Sequence, residues 1–409
     1  MDFYFDPEIR ELKNRVRAFV EESVIPAETE VLEAALRGVE EEENTTARIV
    51  DRLRAEAKKR GLYLPHMPKE YGGQGMGFIG MCALFEEAGR SPIGPLALHC
   101  AAPDEGNMHL LLHWGTEDQK QRYLLPLVEG RVRSCFAMTE PAPGAGADPT
   151  MMQTIAVQDG DDWVIQGRKW FTTGAYGASF AIVAAVTDPS APPHDRTSLF
   201  LVDSDNPGFV VKRKIPVVGS VGQGGHCEVD LEECRVPRAA MLGERGKGFA
   251  LMQFRLGPAR LTHCMRWIGA AQRCYEIAAR RAVEREAFGH PIGDFQAVQW
   301  MLADSWIDLH AARLMTIHAA WRLSQGDQAR RETSMCKVYV AEAVGRVIDR
   351  AVQILGGLGI TRYTPVGAFY ADVRAFRIYD GPSEVHRMSI ARSLLEEARA
   401  TRSIAGGTR

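Results

Sequence analysis

Three stretches hold residues whose types could do chemistry together. The first is Ser134–Pro141 (SCFAMTEP), which runs on through Ala-Pro-Gly-Ala-Gly-Ala to Asp148. The second is Arg168–Gly174 (RKWFTTG). The third joins Gln353–Gly359 (QILGGLG) to Arg377–Arg387 (RIYDGPSEVHR). Asp380 offers a carboxylate that could accept a proton, although Asp-Gly is also a strong signal for a surface turn. Arg285 carries a planar guanidinium fork that suits phosphate, or it is a solvated helix charge. Gly356 and Gly357 let a backbone come close to a ligand, or they simply break a helix. A lone Thr-Glu-Pro is ordinarily a turn or a cap.

The chain that must position these residues changes texture twice. Up to about Ser134 it reads as helical. Phe5–Val24 sets Ile9, Leu12, Val16, Phe19 and Val20 at helical spacing, and Pro26 is expected to stop it. Thr46–Gly61 reads as a second helix, and LYLPHMPKEYGGQGMG reads as loop. Its glycines follow no strand, so no dinucleotide site is expected there. Phe78–Gly89 and Pro95–Trp114 read as buried helices, and Thr116 with Gln119 has the spacing of a capping box opening Thr116–Leu125. From Ser134 to about Leu242 short β-like runs alternate with turn residues, as in a small barrel or sandwich. After Gly248 come Met252–Phe288, Asp294–Gln325, Arg331–Leu355 and Ser383–Ala398, long helices that argue for a bundle. The end of the chain, TRSIAGGTR, is expected to fray.

At this point the chain resembles the acyl-CoA dehydrogenase family over nearly its full length. The stretches above occur in the family's order, and Arg285–Gly289 (REAFG) with Gln296 shortly after is a further landmark. The wording FAMTEP, RLGPxR and DGPxEVH is most similar to the branch of mammalian members ten and eleven. The resemblance implies an α+β multidomain fold: an N-terminal all-α domain (1–134), a central β-barrel or sandwich domain (135–243), a C-terminal four-helix bundle (244–398) and a tail (399–409).

It also implies FAD and an acyl-CoA substrate. A flavin needs hydrogen-bond donors along its pyrimidine edge and at N5, and an apolar wall; the protein positions it and tunes it. By resemblance, Phe136, Met138 and Thr139 line the ring, Trp170 covers one flank, and Thr172 offers its hydroxyl near N5. Arg285, Phe288, Gln296, Gln353, Gly356 and Gly357 would reach the FAD of a neighbouring subunit, so a homo-oligomer, dimer or tetramer, is expected. Glu384 stands at a cofactor-contacting place where many members carry Gln. Ala147, Arg260 and Gly381 fall at substrate-contacting places, Ala147 replacing a common Ser. Family members carry the catalytic carboxylate in one of two places. One of them reads Ala259-Arg260 here, which leaves Asp380 as the candidate base. Asp380 would take the α-proton of the thioester while the flavin takes the β-hydride. The expected electron acceptor is an electron-transferring flavoprotein. A related flavin oxidase such as nitroalkane oxidase is the alternative, since those enzymes use an Asp base with a following Arg, which Asp380 and Arg387 echo.

Bulk properties narrow the field. A net charge of -3 gives no general pull toward nucleic acid or an anionic membrane. This speaks against the DNA-binding flavoproteins that share the family resemblance. The eight cysteines form no C-x-x-C pair, which fits a reducing cytoplasm without disulfides. No zinc spacing appears among the histidines, and no metal is expected. The N-terminus has no apolar core of a signal peptide, and no run is long enough to span a bilayer.

Overall fold

In the computed structural model, which describes residues 5–219 and 223–406, the chain forms two compact units. One unit combines the chain up to Glu22, Met76–Gly94 and everything from Arg260 on; the other combines Ser23–Gly75 and Pro95–Ala259. The helix Pro7–Phe19 starts with proline, whose missing N–H is no loss in a first turn, and it buries Leu12, Val16 and Phe19 along one stripe. Pro26 does not stop the chain as its sequence suggests. A π-helical turn, Val20–Val24, leads straight into the helix Ile25–Arg37, and Pro26 falls in the first turn of that helix. The next helix, Val39–Lys59, begins well before Thr46. Glu40, Glu41 and Glu42 in its first turn and Lys58 and Lys59 in its last complement the helix dipole. The capping box at Thr116 forms: the Thr116 hydroxyl accepts from the Gln119 N–H, and the Gln119 side chain accepts from the Thr116 N–H.

In the first unit the helix Phe78–Gly89 is buried nearly all round. It meets the long helix Gly248–Glu284 backbone to backbone. A Cβ on Gly89 would lie 2.0 Å from the carbonyl oxygen of Arg266, and one on Gly269 would lie 1.8 Å from that of Glu86. Only glycine permits that approach. Two bidentate ion pairs tie this segment to its neighbours: Arg90 to Glu276 of the long helix (2.6 and 3.1 Å), and Glu86 to Arg313 of the helix Gln296–Ser324 (2.7 and 3.0 Å). The helices Gln296–Ser324, Arg330–Leu355, Val366–Phe376 and Ser383–Gly406 complete this unit. The long helix ends at Glu284, short of Phe288. There the chain turns through a small hairpin, Glu286–Ala287 against His290–Pro291, with Phe288 and Gly289 at φ +56° and +93°. Positive φ at both loop positions is the pattern of a tight two-residue hairpin. The last helix runs on to Gly406, past the expected end at Ala398; residues 407–409 lie outside the described residues.

The second unit holds an eight-stranded sheet. Its path runs Phe209–Lys214, His226–Pro237, Asp162–Thr173, Ile155–Asp159, Phe180–Val186, Thr197–Asp203 and Met241–Leu242. Ser134–Ala137 pairs in parallel with Phe180–Val186, Ser134 opposite Phe180 and Ala137 opposite Val183. Phe180–Val186 is buried along its whole length, as its unbroken apolar run requires. Trp163, Ile165, Phe200, Val202, Val229 and Leu231 lie in the core beneath the sheet. No disulfide joins any of the cysteines, and no helix among the described residues is long and apolar enough to cross a membrane.

Candidate active site

Asp380 sits in the turn between the helices Val366–Phe376 and Ser383–Gly406. Its backbone is left-handed, φ +55°, and Gly381 follows at +98°. Aspartate enters that region more readily than most side chains. The carbonyl oxygen of Asp380 accepts the Nε–H of Arg260 at 2.9 Å, and His386 Nε2 stands 3.2 Å from it. Burial, with the Arg260 charge beside it, pushes the pKa of His386 down to about 4, so the ring is neutral near pH 7. A proton on Nε2 then donates to Asp380, and Nδ1 is left to accept from the Ser334 hydroxyl at 3.2 Å. Lys337 is fully buried, and its Nζ donates to the carbonyl of Phe376 at 2.6 Å and lies 3.4 Å from that of Gly381. Burial lowers its pKa below the ordinary lysine value. One cation thus ties the end of the preceding helix to the residue after the carboxylate.

The side chain of Asp380 is 17% exposed, and its Oδ2 is shielded from solvent, 3.3 Å from His263 Nε2. Arg260, His263 and Trp267 occupy positions i, i+3 and i+7 of the helix Gly248–Glu284, a single stripe. All three reach the same turn. Arg260 meets the Asp380 carbonyl, His263 faces the carboxylate, and Trp267 Nε1–H donates to the Tyr379 hydroxyl at 2.7 Å. Burial drives the Tyr379 phenol far above its usual pKa, so it stays neutral. Arg387 turns elsewhere and pairs with Glu342 at 2.8 Å.

In the sheet unit, Phe136 lies within the strand Ser134–Ala137, and Met138 and Thr139 follow it directly, beside the strand Asp162–Thr173. The Trp170 N–H donates to the Thr139 carbonyl at 2.7 Å. Lys169, fully buried, donates to the Met138 carbonyl at 3.2 Å and to Glu140 Oε1 at 2.9 Å. Glu140 is itself buried and accepts four further bonds: Thr154 N–H (2.9 Å) and hydroxyl (2.5 Å) on Oε1, Gln153 N–H (2.6 Å) and Ala145 N–H (3.2 Å) on Oε2. Burial opposes its ionisation, but the Lys169 charge and these bonds outweigh that and hold its pKa below the usual range. Burial pulls Lys169 down to about 8, against the attraction of Glu140. The pair clamps both ends of the loop that follows Thr139.

Between Lys169 and Thr172 the ladder slips by a bulge, with Phe171 at φ +52°. Thr172 is fully buried beyond it, and its hydroxyl has no hydrogen-bond partner among the described residues. A buried unpaired hydroxyl calls for a ligand or water. Arg255 lies over the Phe136 ring, 4.1 Å from its centroid, and is held by Asn107 Oδ1 at 2.8 Å and the Pro103 carbonyl at 3.1 Å. Ala147 is exposed on the loop, next to Asp148, which caps Thr150.

The remaining candidates lie on the surface of the first unit. Arg285 and Phe288 belong to the small hairpin, where Phe288 is 92% exposed, and Gln296 opens the following helix. Gln353, Gly356 and Gly357 are exposed at the end of Arg330–Leu355, with Gly356 at φ +62°. Glu384 is exposed in the first turn of the last helix.

Sequence reasoning passed over His263, Trp267, Lys337, His386, Arg255 and the Glu140–Lys169 pair. The stripe after Arg260 was visible as polar residues at helical spacing. Arg255 was visible as the first Arg of RLGPxR. Lys337 and His386 gave no signal before the turn was seen to fold against them.

Comparisons with known proteins agree with one another. Family models for the N-terminal, middle and C-terminal domains of acyl-CoA dehydrogenases match residues 6–131, 135–234 and 246–395. A relative from Mycobacterium tuberculosis, named probable acyl-CoA dehydrogenase FadE2, is 40% identical over 98% of both chains. Acyl-CoA dehydrogenase family member 11 of Gallus gallus is 37% identical over 97% of this chain, which spans 52% of that longer protein. A solved structure from Mycobacterium abscessus superposes with a TM-score of 0.91 at 38% identity, covering 97% of this chain and 100% of the other.

Proposed function

The chain belongs to the acyl-CoA dehydrogenase family of oxidoreductases, and on that footing we propose that it oxidises an acyl-CoA thioester with Asp380 as the base that removes the α-proton. The observation that carries the assignment is the anchoring of Asp380. Its backbone is held in a left-handed turn by two donors on its carbonyl, while its carboxylate is mostly enclosed rather than turned to bulk water. A surface turn aspartate needs none of these contacts. Pinning the backbone leaves the carboxylate few orientations, which is what a proton transfer over hydrogen-bond distance requires.

The cofactor proposed is FAD, which when bound accepts the β-hydride. The residues present fit it. Thr172 has a buried hydroxyl with no protein partner, Trp170 and Phe136 supply flat apolar surface, and the Glu140–Lys169 clamp fixes the loop that carries Thr139. The backbone N–H of Asp380 and the residue after it, Gly381, are the groups proposed to meet the thioester carbonyl, where negative charge develops as the α-proton leaves. Arg260 serves the turn by holding the Asp380 carbonyl, and Ala147 is proposed to face the substrate from its loop.

Arg285, Phe288, Gln296, Gln353, Gly356 and Gly357 are proposed to complete the cofactor site of a neighbouring copy, with Glu384 also at the cofactor. What supports this is their exposure, together with large exposed apolar side chains on the same unit: Trp300, Ile307, Ile360 and Tyr363. The assembly is a homo-oligomer, dimer or tetramer, and the acceptor an electron-transferring flavoprotein. The oxidase alternative leans on an arginine partnered with the base, and Arg387 is instead exposed and bound to Glu342.

The test is an anaerobic titration of the yellow protein with a panel of acyl-CoA thioesters. Bleaching of the flavin by at least one thioester, with slow reoxidation by oxygen, is the expected result. A flavin that no thioester bleaches, or one bleached by nitroethane and rapidly reoxidised in air, contradicts the reading.

A further inference from the structure

We propose that His263 is a positioning residue for Asp380 that selects which carboxylate oxygen takes the proton. The inference rests on the reading of Asp380 as the base. His263 Nε2 lies 3.3 Å from Oδ2, within ion-pair range, but the contact does not meet hydrogen-bond geometry: Oδ2 is a buried oxygen without a hydrogen-bond partner among the described residues, and a small turn of the imidazole would supply one. The two side chains are 16% and 17% exposed. Oδ2 itself is shielded, so the exposed part of the aspartate side chain belongs to its other atoms. A carboxylate with nothing on either oxygen turns about a broad, soft torsion and presents both. A donor fixed on one oxygen ends that freedom and leaves Oδ1 to receive the proton. His263 can act as that donor because its own place is set. It stands on a helix locked by the glycine contacts at Gly89 and Gly269, and its ring packs against Tyr379 with centroids 4.9 Å apart.

The charge of the imidazole adds a second consequence. When His263 is protonated, its charge 3.3 Å from Oδ2 favours the ionised carboxylate and makes Asp380 a weaker base. When it is neutral, Nε2–H still orients the carboxylate but the opposing charge is gone. The rate of α-proton removal therefore rises with pH across the His263 titration. The groups facing the pair are Arg260, Lys337, His386, Tyr379, Cys264 and Arg266. Burial holds His386 at about 4, raises Cys264 to about 12 and raises Tyr379 further. None of those three ionises between about pH 5 and pH 8, the window in which an imidazole ordinarily titrates.

The experiment measures anaerobic flavin bleaching in flavin-loaded protein, using the thioester that bleaches the wild type fastest. His263→Leu is expected to slow bleaching at saturating thioester about 10- to 100-fold, with flavin retained and half-saturation within about threefold. His263→Gln places an amide N–H where Nε2 was. It is expected to recover to within about tenfold of the wild type and to lose the limb between about pH 5 and pH 8. A Leu variant at wild-type speed overturns the proposal, as does a Gln variant that keeps the wild-type pH limb. If the Leu variant sheds its flavin, the Gln variant decides alone. Asp380→Asn, measured in parallel, separates the two claims. Wild-type speed in that variant defeats the base assignment itself, whereas an inactive Asp380→Asn beside a normal His263→Leu defeats only the role of His263.

Discussion

Replacing Glu140 by Gln tests whether the buried ion pair is the clamp of the loop that follows Thr139. Glu140 and Lys169 expose 2% and 0% of their side chains, and their charged atoms lie 2.9 Å apart. Removing one charge from such a pair strands the other, which typically destabilises by about 3–5 kcal/mol. The amide adds to this, because its NH2 must face either Gln153 N–H and Ala145 N–H or Thr154 N–H and Lys169. Lys169→Met removes only one of the five donors on Glu140 and leaves the rest in place, so it is expected to destabilise less. The double variant, with no charge left in the site, is expected to be more stable than Glu140→Gln alone. Urea unfolding of all three variants, followed by circular dichroism and by release of the flavin's visible absorbance, gives the comparison. Glu140→Gln should lose flavin at a lower urea concentration than wild type. A Glu140→Gln protein with the wild-type midpoint, or a double variant weaker than Glu140→Gln, refutes the clamp.

Thr172→Val should leave the flavin-free protein as stable as wild type or up to about 1–3 kcal/mol more stable, because it deletes a buried hydroxyl that has no protein partner. The same variant should bind FAD more weakly; thermal melts with and without cofactor check both halves. Gly269→Ala should destabilise by at least about 1–3 kcal/mol in urea unfolding, because the new Cβ would sit 1.8 Å from the Glu86 carbonyl oxygen. Phe288→Ala, at a hairpin tip that is 92% exposed, should change the stability of the flavin-free protein by no more than about 0.5 kcal/mol while lowering FAD retention and weakening the oligomer. Unchanged FAD retention would mean that Phe288 does not reach a neighbour's cofactor.

Much of the fold was legible because its signals are local. The capping box at Thr116, the buried helix Phe78–Gly89 and the unbroken apolar strand Phe180–Val186 each follow from the residues themselves. Pro26 misled because a proline stops a helix only where its N–H would be used, and the π turn before it makes that a first-turn position. The helix end at Glu284 was hidden because Arg-Glu-Ala-Phe is compatible with helix; the hairpin depends on Phe288 accepting a positive φ before Gly289. In the candidate site, Asp380 was singled out through the family resemblance, while the residues packed around it were not. His263, Trp267, Lys337 and His386 matter only because the folded chain brings them onto one turn. Likewise Thr-Glu-Pro gave no hint of charge burial, since the partner of Glu140 lies 29 residues further on.

The proposed chemistry depends on Asp380 as the group that removes the α-proton. Asp380→Asn keeps the size of the side chain and the carbonyl bonds to Arg260 and His386, and takes away only its basicity. With flavin content confirmed from the visible spectrum, anaerobic bleaching by a saturating acyl-CoA is expected at a rate lower by about 10²–10⁴ than wild type. Bleaching at the wild-type rate in that variant would contradict it.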